Sequence, residues 1–531
     1  MGNTKIQKIN KYLFISISLL IVSFSFHNCD YFNSEKPEKI IVIDTIPKQD
    51  TTIIEVKVIE KPTFPEKIKF INTTFLGNFQ RNYYGDTIPN NLNFNWKFRL
   101  GKGKTIVGKD TLVWYGAGWT GQPLMIEEDS ILYILQGAYD HKYRKIIAET
   151  GKQVWEYEFD DVIKGTGTLW KDTSQTDSME LRYLVLQGSR LGNDNKLRDW
   201  LIPSYRALSI MNGTEQWRMN VWPTRSYSRD VDASAAYIGD TAYIGLENGR
   251  FISFLPHADK TQKKAGLIQP MVLDTASLYS KEDIKKHRGN LVTEASPAIL
   301  GNHVYLASGS GHVYGYNMDT KELDWQFDIG SDIDGSPVVT NDSCLLISIE
   351  KQYIKGKGGI LKLNPRKQGK EAVVWYFPVP NRSFATWKGG VIGTAAVSDY
   401  YQQDSTNQIA AFNTIKGTFY VVMHTKLDKS EKVKDFNDEN EYYKPKELFS
   451  YKLGPSISTP LIIPPRIIVA AYSGLYIFEY DKDYNFELIA KHEGVFEATP
   501  FVYKGKVYVA SRGGYLYCLG NDEIKETKIS K

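Results

Sequence analysis

Carboxylates recur at one point of a repeated phrase in this chain. The phrase is a small residue, Ser or Thr, often Pro, and then an apolar strand. Three residues ahead of the Pro or its counterpart stand Asp232, Glu294, Asp334 and Glu497, and Asp230 and Asp332 lie just before two of them. If these positions face a common space, Asp232, Glu294 and Asp334 form an acidic arc whose oxygens suit a hard cation such as calcium. The same arc would also accept a basic segment of a partner. The plainer alternative is that acids at such points hydrogen-bond to turn N–H groups and stay solvated. The matching positions elsewhere are Thr120, Lys164, Ile392 and Ile457, so the acids are confined to part of the series.

Other chemistries find less support. The histidines His141, His257, His287, His303, His312, His424 and His492 place no two on one helix face. The run Ser308-Gly309-Ser310-Gly311 precedes a strand, so no helix N-terminus would meet a phosphate there. Three cysteines, Cys29, Cys344 and Cys518, exclude a disulfide framework and a thiolate-built zinc site. The latter two sit in apolar strands, as buried core residues do. With 65 Lys and Arg against 61 Asp and Glu, the chain lacks the basic excess that a nucleic-acid-binding protein needs. An aromatic share of 13% argues against disorder.

The elements that must hold these residues are short strands. The clear copies of the phrase begin at Glu294, Asp334, Ile457 and Glu497, and looser ones at Thr120, Lys164, Asp232 and Ile392, eight in all. Each is followed by a second strand, such as His303–Ala307 or Lys506–Ala510, and by a third after a Gly-containing turn, such as Gly311–Tyr316. A fourth often carries Trp after a Thr-Gly-Lys-like turn, at Trp155, Trp217, Trp325 and Trp375. Four β-branched and aromatic strands per unit describe a β-propeller blade. A recurring Trp is best explained as packing between neighbouring blades. The last unit has three strands, and its missing Trp strand stands at the other end, around Trp96. The expected fold is therefore all-β: an eight-bladed propeller closed by an N-terminal strand, with seven blades as the alternative. Lys281–His287 is expected to form a single helical turn.

The tryptophan phrase resembles the pyrroloquinoline-quinone-type propeller repeat. So does the opening Phe75-Leu76-Gly77-Asn78-Phe79-Gln80-Arg81-Asn82-Tyr83-Tyr84-Gly85, followed by Pro89 and Trp96. The resemblance runs from about Phe75 to Leu519. It implies the fold more than an activity, because the family holds quinone-dependent alcohol and sugar dehydrogenases as well as non-enzymatic envelope lipoproteins. The alcohol dehydrogenases hold the quinone under a disulfide of adjacent cysteines, which this chain lacks, and their calcium-ligand set cannot be aligned here residue by residue. The resemblance therefore implies a non-catalytic scaffold without a cofactor. The alternative is a sugar-dehydrogenase-like oxidoreductase using the quinone and calcium.

The N-terminus reads as an export signal. Lys5, Lys8 and Lys11 precede the apolar run Tyr12–Phe26, too short for a bilayer span of about 20 residues. Cys29 follows, and resembles the lipidation site of bacterial lipoproteins, although Phe26 and Asn28 depart from the preferred Leu and small residue. An uncleaved signal anchor is the alternative. The expected organisation is a signal peptide (1–28), a lipidated tether behaving as a loose coil (29–65), the propeller (66–520) and a polar tail (521–531). The protein is expected at the envelope, on the outer membrane, as a monomer or as a subunit of a complex with envelope or outer-membrane proteins. Two irregular segments stand out as recognition loops: the basic 254–290 and the charged 426–446. Arg382, Phe384 and Trp387, with Trp119 and Trp170, are expected to form an aromatic rim.

Overall fold

The computed structural model describes residues 39–48, 51–60 and 68–521, with 403 and 405 excepted. The signal peptide, Cys29 and the polar tail after Asn521 lie outside the described residues. The chain divides into two units, 1–64 and 65–531. In the first, Lys39–Lys48 and Thr51–Glu60 pair as an antiparallel hairpin, where a loose coil was expected. β-branched residues crowd both arms and favour pairing over coil.

The second unit is a ring of eight four-stranded antiparallel blades. Blades 1 to 7 span 124–158, 168–219, 236–277, 298–328, 338–378, 396–452 and 461–492. Blade 8 combines Phe501–Tyr503, Lys506–Ala510 and Tyr515–Gly520 with the N-terminal strand Phe94–Arg99, which brings Trp96 opposite Cys518. The closure expected from the sequence is the one found. Among the described residues helix is confined to Met179–Arg182, Lys281–Lys286 and a short 3-10 turn, and the second of these is the anticipated turn, with a Ser280/Asp283 capping box.

Two repeated contacts tie the blades and explain the repeated phrase. The Ser or Thr hydroxyl before the Pro accepts a backbone N–H from the preceding blade. The bonds run from Ser234 N to Ser296, Ser296 N to Ser336 and Ser336 N to Thr394, each 2.9 Å, with Thr394 N to Thr459 at 3.1 Å. Gln122 N to Thr166 (2.7 Å) and Thr459 N to Thr499 (3.4 Å) extend the series. Near the outer edge, each tryptophan indole N–H donates to a carbonyl of the next blade. Trp96 reaches Ala148, Trp155 reaches Ile210 and Trp217 reaches Pro256, while Trp325 reaches Lys367 and Trp375 reaches His424, all within 2.8–3.1 Å. The Gly of the next blade's turn fits beneath: a Cβ on Gly151 would lie 2.8 Å from Trp96, and one on Gly213 would lie 2.7 Å from Trp155.

Residues 68–92 close one end of the channel. Ile68–Asn72 pairs with the inner strand of blade 1, Leu124–Glu128. The chain then crosses the ring, and Thr73 O, Phe79 O and Gln80 O accept the N–H groups of Leu169, Ile299 and Val339 on blades 2, 4 and 5. Tyr84 Oη accepts Val397 N of blade 6, and Gly85 bridges Val502 of blade 8. Arg81, fully buried, donates to Pro297 O, Ser234 O, Phe75 O and Thr74 Oγ1. Contacts with opposite blades require a plug across the axis, which the sequence did not disclose.

Both irregular segments contain blade strands. Leu267–Ser277, within the basic segment, is the fourth strand of blade 3. It lacks the Trp signature, so it had read as an insertion between blades. The charged segment is the tip of a long blade 6 hairpin, Thr418–Lys434 with Glu441–Lys452. Its Phe436 is buried against Phe327 of blade 4 and Tyr376 of blade 5, with ring centroids at 6.4 and 5.9 Å.

Candidate functional site

Blades 2, 4, 5, 6 and 8 carry three layers in order into the inner strand. The arc positions come first, the hydroxyl ring two residues later, and the plug contacts three residues beyond that, at Leu169, Ile299, Val339, Val397 and Val502. At about 3.3 Å per extended residue, the acids stand roughly 16 Å from the plug. They therefore line the end of the channel that the plug leaves uncovered.

The arc resolves into two groups. Asp232 and Glu294 meet Glu247, with ligand oxygens within 4.8 Å of one another. Asp334 instead joins Asp332 and Glu350 within the same limit. The groups repeat one design: an Asp-x-Asp at the blade start, and a Glu directly after the second strand of that blade, 15 residues on in blade 3 and 16 in blade 5. Glu247 and Glu350 were missed because the sequence comparison stayed within the phrase; that shared spacing is the signal that would have found them. Glu497 stands apart, held by Arg512 (2.9 Å) and the Tyr472 hydroxyl (2.6 Å).

Asp232, Glu247, Asp332 and Glu350 are buried, so they are not exposed turn residues, while Glu294 and Asp334 are half-buried. The first group has its own counter-ion. Lys164, the arc position of blade 2, places Nζ 2.5 Å from Asp232, with Asp230, Glu247 and Glu294 at 3.6–4.0 Å. Arg190 holds Asp230 at 2.7 Å and also donates to Thr105 and Ile106 of an unanticipated hairpin, Lys102–Val107 with Asp110–Tyr115.

The second group has no ammonium or guanidinium in ion-pair contact among the described residues. Asn290 Nδ2 donates to Asp332 Oδ2. Asn290 Oδ1, Asp332 Oδ1 and Glu350 Oε1 are buried without a hydrogen-bond partner. Two of these oxygens converge on one spot, because a Cβ built on Gly309 would lie 2.8 Å from both Asn290 Oδ1 and Asp332 Oδ1. Burial pushes the Asp332 carboxyl up to about 6. Burial, then Asp332 and Glu294, push Glu350 up to about 9. Burial, then Asp332, Glu294 and Glu350, push Asp334 well above the usual range. Asp232 rises to about 7, burial outweighing Lys164. Carboxyls that burial makes costly to ionise gain most from a cation at bonding distance. The donor set is oxygen only, which selects calcium-like ions over zinc or copper.

Across the mouth lies an apolar wall. Trp119, Ile392 and Ile457 pack with Phe384, Trp387 and Tyr472. Trp170 does not join this rim. It is buried in blade 2, edge-on to His257 at 4.7 Å. Cys344 and Cys518 are both buried, in blades 5 and 8, and burial raises their thiols to about 11 and about 12.

No family model matches the sequence, and no curated protein matches it. Similar solved structures include the quinohemoprotein alcohol dehydrogenase of Comamonas testosteroni, at 14% identity over 86% of this chain and 82% of that one, TM-score 0.50. A europium-containing methanol dehydrogenase is 12% identical over 85% and 98%, TM-score 0.53. BamB from Moraxella catarrhalis is 12% identical over 81% and 98%, TM-score 0.48. The likeness to the two dehydrogenases is one of fold: the chain is a β-propeller, here of eight blades.

Proposed function

We propose that this chain is an exported, membrane-tethered propeller of the cell envelope that works by binding. It would be a rigid scaffold whose open channel mouth is organised by a hard cation such as calcium. The observation that carries the cation is the buried, unpartnered oxygen set of Asn290, Asp332 and Glu350, completed by Asp334. An ion there would displace the protons that burial keeps on Asp334 and Glu350 and fix the mouth in one arrangement for a partner segment. The signal-like run Tyr12–Phe26 and Cys29 support the tether, and envelope or outer-membrane proteins are the expected partners. Among the described residues no helix is long and apolar enough to cross a membrane.

The test combines stability with association. With 100-fold excess calcium over its dissociation constant, linkage adds about 2.7 kcal/mol. The metal-stripped protein should therefore gain a few degrees in melting temperature. Asp332→Asn with Glu350→Gln should abolish the gain. A tagged chain extracted in mild detergent with calcium should retain a stoichiometric envelope protein and release it to a chelator. Equal melting with and without calcium, and no retained partner, would remove this reading.

A second reading, a quinone- and calcium-dependent oxidoreductase, draws on one observation: the oxygen set shares the mouth with the aromatic wall of Trp119, Phe384 and Trp387. The residues fit the cation. They do not fit the quinone on the alcohol-dehydrogenase pattern, because the adjacent cysteines are missing and Cys344 and Cys518 lie in separate blades. Dye reduction by the protein loaded with quinone and calcium, with an alcohol or sugar, distinguishes this reading from the first.

A further inference from the structure

Near the aromatic wall, at the turn joining the second and third strands of blade 6, lies a pocket of about 520 Å³. Its lining brings together Arg382, from the connection between blades 5 and 6, Lys416 from that turn, and Lys452 from the end of the fourth strand. Ser383 and Phe384 complete the wall. None of the three cations has a hydrogen-bond or ion-pair partner among the described residues, and no carboxylate lines the pocket. Lys164 and Arg512 on this channel face are matched, by Asp232 and Glu497. Three unmatched positive charges in one concavity focus a field that draws anions.

The pocket is also rigid. Gly417, at φ +98°, packs against Gly454, and a Cβ there would lie 2.6 Å from the Gly454 carbonyl carbon. The Gly417 carbonyl is taken up by the N–H groups of Leu453 and Gly454, at 2.9 and 3.0 Å, so it does not oppose an anion. Phe384 is fixed between Trp387 (centroids 6.4 Å, 17°) and Tyr472 (4.9 Å). It offers an apolar surface beside the charges.

We propose that this pocket binds a phosphomonoester, its dianion held by Arg382, Lys416 and Lys452 and its flat or apolar group laid on Phe384. A guanidinium with two ammonium groups and the Ser383 hydroxyl suits a doubly charged oxyanion better than a single carboxylate. This site is separate from the cation site and does not rest on it.

Phenyl phosphate and inorganic phosphate, titrated into the full-length protein by calorimetry, provide the probe. Phenyl phosphate should bind once per chain, more tightly than inorganic phosphate, and weaken as salt rises. Lys416→Gln and Lys452→Gln should each cost about tenfold in affinity, since a charge-assisted hydrogen bond is worth about one such factor. Lys452→Arg, which keeps the charge, should retain binding and shows that the loss is not misfolding. Co-sedimentation with phosphatidic acid vesicles, compared with phosphatidylcholine alone, separates the sources. Vesicle capture lost in the Lys416/Lys452 double variant assigns a lipid headgroup, and phenyl phosphate binding without vesicle capture assigns a soluble phosphate. No saturable binding to either probe, or binding unchanged in the double variant, would overturn the proposal.

Discussion

Gly309 puts the cation account to a test one methyl group in size. A Cβ there intrudes between Asn290 Oδ1 and Asp332 Oδ1, at 2.8 Å from each. Gly309→Ala is expected to erase calcium-dependent stabilisation while adding no charge, read as the melting difference with and without calcium. His287 offers a second residue-level prediction. It is fully buried with neither ring nitrogen hydrogen-bonded, and the ring of Tyr353 lies edge-on at 4.6 Å. Burial and then Lys286, joined by His312 and opposed by Asp283 and Asp328, push its imidazole down to about 4. Above the ordinary histidine value of about 6.5, both folded and unfolded states are neutral there. As pH falls from about 6.5 to 4, only the unfolded chain takes up the proton, so stability falls across that window. His287→Leu should flatten that part of the acid limb in denaturant titrations at stepped pH. Melting that declines as steeply in the variant would place the acid sensitivity elsewhere.

At the level of elements, the sequence disclosed what is repeated and hid what occurs once. The hydroxyl at Ser296, Ser336, Thr394 and Thr499 receives an N–H or spans a blade joint, so it recurs. The indole of Trp155 or Trp325 recurs for the same reason, and its companion glycine with it. The plug meets each blade once, through contacts of its own, and leaves no period to detect. Phe436, reaching from blade 6 to blades 4 and 5, is equally solitary and had passed for part of a charged loop. The acids were half legible: the phrase exposed Asp232, Glu294 and Asp334, while Glu247 and Glu350 directly follow strands outside it. Two substitutions weigh these elements. Trp217→Phe removes one interblade hydrogen bond and part of a buried ring, and should cost about 1–3 kcal/mol. Arg81→Met strips several buried carbonyls of their donor at once and should cost about 3 kcal/mol or more. Denaturant unfolding would rank the two, and the single-copy plug contact is expected to matter more than one of five repeated ones.

For the whole molecule, closure is the decisive property. Blade 8 is completed from the N-terminal side, by Phe94–Arg99, so every blade has two neighbours and no inner sheet stays open. Removing residues 1–64, a separate unit, should leave the melting temperature unchanged, whereas removal through residue 100 should expose two blade edges and cause aggregation. A closed, plugged ring also explains how acids can be held at high free energy: the blades fix Asp332, Asp334 and Glu350 before any ion arrives, as preorganised sites require. The most direct measurement is calorimetric titration of calcium into the metal-stripped full-length protein, beside the Asp332→Asn, Glu350→Gln variant. The account predicts saturable binding of one ion per chain that disappears in the variant. Absence of binding, or the same isotherm in both proteins, would contradict it.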